Sequence, residues 1–253
     1  MNVLKTKYMK VLAGACTLFA ALGMSAAQAG GAPKSGGFAM SGNAALNSQY
    51  IFRGLTLAPE DNSVAIQGGF DWTQGDTGIY FGYWGSSLGY SNPATGSADG
   101  FENDLYVGYK GKFGGIGYDV GLLTYVYANV DDSDTTEFNL SLSSGIFTAG
   151  IKLNIGNDVG WSNEGDLYYF VSAGTKLPKG FKISATAGFY DYDTGPLATS
   201  NSGGFRHLDV TLSHAIGKTG ADFNVTAIIG GEDRNSVDQD DAIVFGISYG
   251  FDI

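Results

Sequence analysis

Asp241-Ala242-Ile243-Val244-Phe245-Gly246-Ile247-Ser248-Tyr249-Gly250-Phe251-Asp252-Ile253 alternates without a break: Ile243, Phe245, Ile247, Tyr249, Phe251 and Ile253 against Ala242, Val244, Gly246, Ser248, Gly250 and Asp252. A repeat of two is the signature of a β-strand with unlike faces. One face is large and apolar, the other small or polar. A strand of about ten residues also matches a tilted bilayer crossing.

The pattern recurs upstream. Leu105, Val107 and Tyr109 alternate with Asp104, Tyr106, Gly108 and Lys110; Phe138, Leu140 and Leu142 alternate with Glu137, Asn139, Ser141 and Ser143. Further runs begin near Ala44, Ser63, Gly78, Ile116, Phe147, Glu164, Phe181, Phe205 and Ala221, which makes twelve strands. Their connections alternate between two kinds. The short ones are Gln74-Gly75-Asp76, Gly114-Gly115, Ser144-Gly145-Ile146, Pro178-Lys179-Gly180 and Gly217-Lys218-Thr219-Gly220, where glycine supplies the positive φ that hairpins need. The long ones run roughly Leu55 to Asn62, Gly89 to Gly100, Ala128 to Thr135, Gly156 to Asn163, Asp193 to Gly204 and Glu232 to Gln239. Short turns at one end and long loops at the other are what an even-stranded outer-membrane barrel requires. The expected fold is an all-β transmembrane antiparallel barrel of twelve strands.

Composition agrees. Of 253 residues 40 are Gly, 16 Phe, 15 Tyr and 3 Trp, and only 15% are charged. The formal charge is −11, which repels phosphate backbones and argues against nucleic acid. Acids (Glu60, Asp61, Asp131, Asp132, Asp134, Asp158, Glu232, Asp233, Asp238) gather in the long loops, and Lys112, Lys179 and Lys218 lie at short turns. Tyr50, Phe52, Trp72, Tyr83, Trp84, Tyr125, Tyr127, Tyr190, Tyr192 and Phe251 sit near strand ends, where aromatic girdles are expected. A soluble sandwich would share the alternation. It would bury its large side chains and would not alternate its loop lengths.

Residues 1–29 read as a cleaved secretory signal: Lys5, Lys7 and Lys10, an apolar stretch from Val11 to Met24, and a small-residue exit at Ala27-Gln28-Ala29. Residues 30–42 are then an N-terminal periplasmic segment and 43–253 the barrel. Cys16 is the sole cysteine, so the mature chain must be held by a large core or a closed hydrogen-bonded sheet in place of disulfides. After residue 30 no window is long and apolar enough for a membrane helix.

The chain resembles a family of uncharacterised proteobacterial outer-membrane proteins grouped as TorF-type porins. The matching blocks are Asn47-Ser48-Gln49-Tyr50-Ile51-Phe52-Arg53-Gly54, Ile66-Gln67-Gly68-Gly69-Phe70-Asp71, Ile79-Tyr80-Phe81-Gly82-Tyr83-Trp84-Gly85-Ser86, Glu102-Asn103-Asp104-Leu105-Tyr106-Val107-Gly108-Tyr109 and Gly117-Tyr118-Asp119-Val120-Gly121-Leu122. The resemblance implies an outer-membrane porin and brings no catalytic residues or substrate with it. The last strand also looks like the sorting signal read by the barrel-assembly machinery, with its aromatic at Phe251 and not at Ile253.

With Leu105, Val107 and Tyr109 toward lipid, parity sends Arg53, Asp104, Lys110, Asp119, Lys152, Asp166, Lys176, Arg206 and Asp209 into the lumen, with Asp71, Lys182 and Asp222 beside them. These are the candidate lumen and constriction residues, because charges in a low-dielectric wall sort ions and orient dipolar solutes. Arg53 and Arg206 stand out, since the mature chain has only three arginines and both fall toward the external mouth. Tyr80, Trp84, Tyr106, Tyr125, Tyr127, Tyr168, Tyr190 and Tyr192 share the inward parity. The acidic runs Asp131-Asp132-Ser133-Asp134 and Asp238-Gln239-Asp240-Asp241 lack calcium-loop spacing and read as solvated surface bridging lipopolysaccharide through cations. His207, Asp209, Thr211 and Ser213 share a face, but a spacing of about 6.5–7 Å along a strand is too long for a direct relay. The expected protein is therefore a monomeric channel for small hydrophilic solutes, without cofactor, metal or covalent chemistry. The alternatives are a non-conducting barrel that binds through its loops and, more remotely, a lipid-modifying barrel enzyme.

Overall fold

The computed structural model describes residues 37–56, 64–89 and 100–253. The signal segment 1–29, the loop acids Glu60 and Asp61, and much of the first two long loops lie outside the described residues.

Twelve strands form a single closed antiparallel barrel. They are β1 (Phe38–Asn47), β4 (Ala65–Gln74), β5 (Ile79–Ser87), β6 (Phe101–Phe113), β7 (Ile116–Ala128), β8 (Thr135–Ser144), β9 (Phe147–Asn154), β10 (Leu167–Lys176), β11 (Phe181–Asp191), β12 (Gly203–Ala215), β13 (Ala221–Gly230) and β14 (Ala242–Asp252). Two further strands, β2 (Ile51–Phe52) and β3 (Leu55–Thr56), pair only with each other. Each barrel strand pairs with its sequence neighbour, and β1 closes the cylinder on β14 from Ser41↔Asp252 to Asn47↔Gly246. Closure leaves no edge, so the strands of the wall satisfy one another's backbone without water, the condition for crossing lipid.

The alternation sorts the side chains as parity requires. Leu105, Val107, Phe245 and Ile247 are about half exposed on the outside, while Trp84, Tyr125 and Tyr168 are buried inside. A belt of that size facing water would be an aggregation surface; facing acyl chains it is solvated. The protein is an outer-membrane-type transmembrane β-barrel. Exterior aromatics stack near the short-turn end, Trp72 on Phe81 at 5.2 Å and Tyr249 on Phe251 at 5.9 Å. At the long-loop end Tyr169 stacks on Phe189 at 5.4 Å. Tyr50, Phe52, Trp84 and Tyr125, which strand-end position suggested for the girdles, are instead packed inside the bore.

Two local features depart from simple alternation. The strand that begins near Ala44 in the sequence pattern occupies 38–47, so residues 38–42 of the N-terminal segment belong to the wall. The chain then leaves the wall. Ile51 and Phe52 are both buried, which no lipid-facing strand permits, because the β2–β3 hairpin folds into the barrel. Its turn is Arg53-Gly54, with φ of 50° and 74°, the left-handed pair of a tight hairpin. Glycine is required at 54 a second time, since a Cβ there would collide with the Cβ of His207 on the opposite wall.

The second feature is a bulge in β12. Register slips between Gly188 and Phe189 of β11, whose partners are His207 and Phe205. Arg206 is the extra residue, and the bulge turns both Arg206 and His207 away from lipid.

Candidate functional site

The site is the bore where the hairpin meets the wall. Arg53 at its tip donates from Nη1 to Glu137 Oε1 at 2.9 Å and from Nη2 to Glu137 Oε2 at 2.7 Å. Both side chains are about 2–3% exposed. Glu137 faces inward from β8 for the same reason that Phe138 and Leu140 face out, so a strand carboxylate clamps the loop from across the barrel. Tyr125 donates to Glu137 Oε2 at 2.9 Å, and Arg53 Nη1 reaches the Tyr190 hydroxyl at 2.8 Å. The guanidinium lies 4.3 Å from the ring centre of Tyr168 and 4.6 Å from that of Phe52. A two-pronged arginine–carboxylate contact with both remaining faces covered by rings is the geometry in which such a pair holds most firmly.

Behind the tip, aromatic side chains fill one side of the bore. Tyr50 packs edge-on to Trp84 at 6.1 Å, and Phe52 and Tyr125 pack edge-on to Trp161 at 5.9 and 5.4 Å. Most phenols there each satisfy a carboxylate: Tyr50 donates to Glu102 at 3.0 Å, Tyr80 to Asp119 at 2.6 Å and Tyr106 to Asp71 at 2.7 Å. The other side is different. Ser184, Thr186, Thr211, Asn224 and Thr226 line a cavity of about 760 Å³, counting its opening to solvent, and among the described residues Asp209 is the one charged group in its lining.

At the rim between these sides the Tyr168 hydroxyl lies 2.9 Å from His207 Nε2, and His207 Nδ1 lies 2.8 Å from Asp209 Oδ1. The expectation that strand spacing forbids a direct relay is corrected: His207 and Asp209, two residues apart on the inward face of β12, lean together until they are in hydrogen-bond contact. The chain of contacts ends on a phenol. His207 already spends Nε2 on it, and no serine or threonine hydroxyl bonds to His207 among the described residues. What the arrangement can do is position Tyr168 under Arg53.

The residues chosen from sequence fall in distinct places. Arg53 is in the bore, on the hairpin and not on a strand. Asp104, Asp119 and Lys152 face inward from β6, β7 and β9, and Asp209 faces inward from β12. Lys110 lies 5.3 Å from the ring centre of Tyr80. Arg206 is held at the bulge, where its Nη1 donates to the Gly231 carbonyl at 3.5 Å. Lys176 is exposed at the short-turn end of β10. Asp166 is not on the lumen wall. It sits in the loop before β10, where it accepts from Arg234, from the Asn163 amide at 2.9 Å and from the Asp193 amide at 3.0 Å, tying three external loops together. Burial holds its carboxyl above the usual range against the pull of Arg234. Lys182 pairs with Asp222 at 2.7 Å near the periplasmic rim.

Sequence reasoning passed over Glu137 and Glu102. Their signal was available in parity alone, since both alternate with lipid-facing residues in mid-barrel strands. Among the described residues no group of three or more His, Cys, Asp or Glu is placed to hold a metal ion.

Residues 31–251 match the family model described as a bacterial protein of unknown function, Gcw_chp. No curated protein matches the sequence. Among solved structures the chain is similar to the NanC porin, at 10% identity over 83% of this chain and 97% of that one, with a TM-score of 0.49. It is also similar to outer membrane phospholipase A from Escherichia coli, at 12% identity over 83% and 88%, with a TM-score of 0.41. A third is OccAB3 of Acinetobacter baumannii, at 10% identity over 75% and 56%, with a TM-score of 0.40. At these identities and scores the likenesses carry nothing about activity.

Proposed function

The chain belongs to the bacterial family of unknown function Gcw_chp, and from that footing we propose that it is a porin-like channel for passive diffusion of small hydrophilic solutes across the outer membrane. The observation that carries this reading is the division of the bore: a hairpin clamped by Arg53 and Glu137 narrows it, and a polar cavity bounded by β11–β14 runs beside the hairpin. Solutes move down their gradient through that polar side, filtered by size and by the charges at the clamp. The resemblance to TorF-type porins, carried by residues 43–127, supports the same reading. The barrel works as a monomer in lipid bearing lipopolysaccharide, and uses no cofactor or covalent step.

Single-channel recording in a planar bilayer tests it. Discrete conductance steps from the purified protein are expected. A correctly inserted but silent barrel would overturn the channel and leave the second reading, a non-conducting structural or surface-binding barrel, which the aromatic packing of Tyr50, Phe52, Trp84 and Tyr125 favours. Release of acyl chains from lipid vesicles, abolished in His207→Ala, would instead make Tyr168, His207 and Asp209 part of an enzyme.

A further inference from the structure

Along the cavity beside the hairpin, alternation turns small polar residues of three strands inward: Ser184 and Thr186 from β11, Asp209 and Thr211 from β12, and Thr226 from β13. Register sets Ser184 opposite Thr211 and Thr211 opposite Thr226 in one row, with Thr186 opposite Asp209 in the next. Neighbouring strands stand about 4.8 Å apart, and residues on one face of a strand about 6.5–7 Å apart. The wall is therefore a grid of side-chain oxygens at those spacings.

The protein leaves several of these oxygens unused. Among the described residues the hydroxyls of Ser184 and Thr186 make no hydrogen bond. Thr211 and Thr226 share a single one, at 2.8 Å. Asp209 Oδ1 lies 2.8 Å from His207 Nδ1, and Oδ2 has no protein partner. The lining also holds the apolar cluster of Ile51, Ile228 and Val244, and Tyr50, whose hydroxyl is already given to Glu102.

Charge narrows what fits. No Lys or Arg lines the cavity among the described residues, so an anion would give up hydration without meeting a countercharge. A cation would meet one carboxylate, already engaged by His207 on one oxygen. A neutral molecule with several hydroxyls loses least, because each hydroxyl donates and accepts as Ser and Thr do, and its C–H faces suit the apolar cluster. We infer that this cavity binds a neutral polyhydroxylated solute, a polyol or monosaccharide, which donates to Asp209 Oδ2 and exchanges hydrogen bonds with Ser184 and Thr186. The inference rests on the channel reading and deepens it, by naming the class of solute that the polar side of the bore selects.

Four five-carbon molecules separate the possibilities: xylitol as the polyol, 1,5-pentanediol as a neutral chain with fewer hydroxyls, xylonate as anion and 5-aminopentanol as cation. Saturation-transfer NMR titration of the barrel, in a detergent without a sugar headgroup and corrected against empty micelles, reads binding whether or not the barrel conducts. Liposome swelling reads flux. Wild-type protein is expected to bind xylitol about tenfold tighter than each of the other three, the value of one or two net hydrogen bonds. Ser184→Ala combined with Thr186→Val removes two hydroxyls that bond nothing in the protein, so the barrel should fold as before while xylitol affinity falls about tenfold. Xylitol bound no tighter than pentanediol, a preference for xylonate or aminopentanol, or unchanged xylitol affinity in the folded double variant would overturn the inference; the first two outcomes need no variant. Xylitol bound with the expected preference yet excluded from liposomes would overturn the channel and leave the site. Swelling in xylitol without that preference would leave the channel and overturn the site.

Discussion

The two sides of the bore are built from the same strand pattern and do opposite things. Around β5–β8 the inward residues are large: Tyr80, Trp84, Tyr106, Leu123 and Tyr125 close on the hairpin residues Tyr50 and Phe52 into a packed cluster. Around β11–β14 most inward residues are small, Ser184, Thr186, Thr211, Asn224, Thr226 and Ser248, and the hairpin is met by Ile228 and Val244, which pack on Ile51. Twelve strands enclose more room than the eight whose interior side chains fill, and less than the sixteen that leave a wide channel. The size of the inward residues therefore decides, strand by strand, where the cylinder is solid and where it stays open. One side packs the hairpin in aromatic rings, and the other keeps a cavity beside it.

That contrast can be broken by removing the hairpin. Replacing residues 51–56 with two glycines, together with Glu137→Gln so that no carboxylate is stranded, should raise single-channel conductance severalfold. Unchanged conductance would mean that the polar side alone sets the flow. A smaller intervention is Arg53→Ala, which leaves Glu137 buried and uncompensated. It should cost about 3–5 kcal/mol in urea unfolding from lipid vesicles, with part of the loss recovered by adding Glu137→Gln. If both single and double variants unfold like the wild type, the clamp is not what holds the hairpin in place.

The packing difference itself predicts unequal sensitivity. Trp84→Ala in the filled side should destabilise by about 3–5 kcal/mol. Thr226→Val in the open side removes only its 2.8 Å hydroxyl contact with Thr211 and should cost about 1 kcal/mol. Comparable losses at the two positions would show that the open side is as tightly packed as the other, and the division of the bore would fall with it.

Much of this architecture was legible residue by residue. Strand number, the sorting of Leu105, Val107, Phe245 and Ile247 to the outside, and the asymmetry of turns and loops all follow from a repeat of two punctuated by glycine. The repeat is a local property, set by the pleat of one strand, and so a sequence displays it directly. The site was legible only in part. Parity placed Asp104, Asp119, Lys152 and Asp209 inside; it could not show the bulge that lets the adjacent Arg206 and His207 both point inward, and it took Tyr50 to Arg53 for strand because their alternation looks the same in a hairpin that has left the wall.

The sequence by itself determined a closed, twelve-stranded membrane cylinder. Only the tertiary structure decided that Arg53 meets Glu137, 84 residues away, and that Tyr168 meets His207 across 39. The physical reason is that closure brings the inward faces of nonadjacent strands into one small volume. Which side chains touch there depends on the diameter, tilt and register of the whole barrel, and no single strand encodes those.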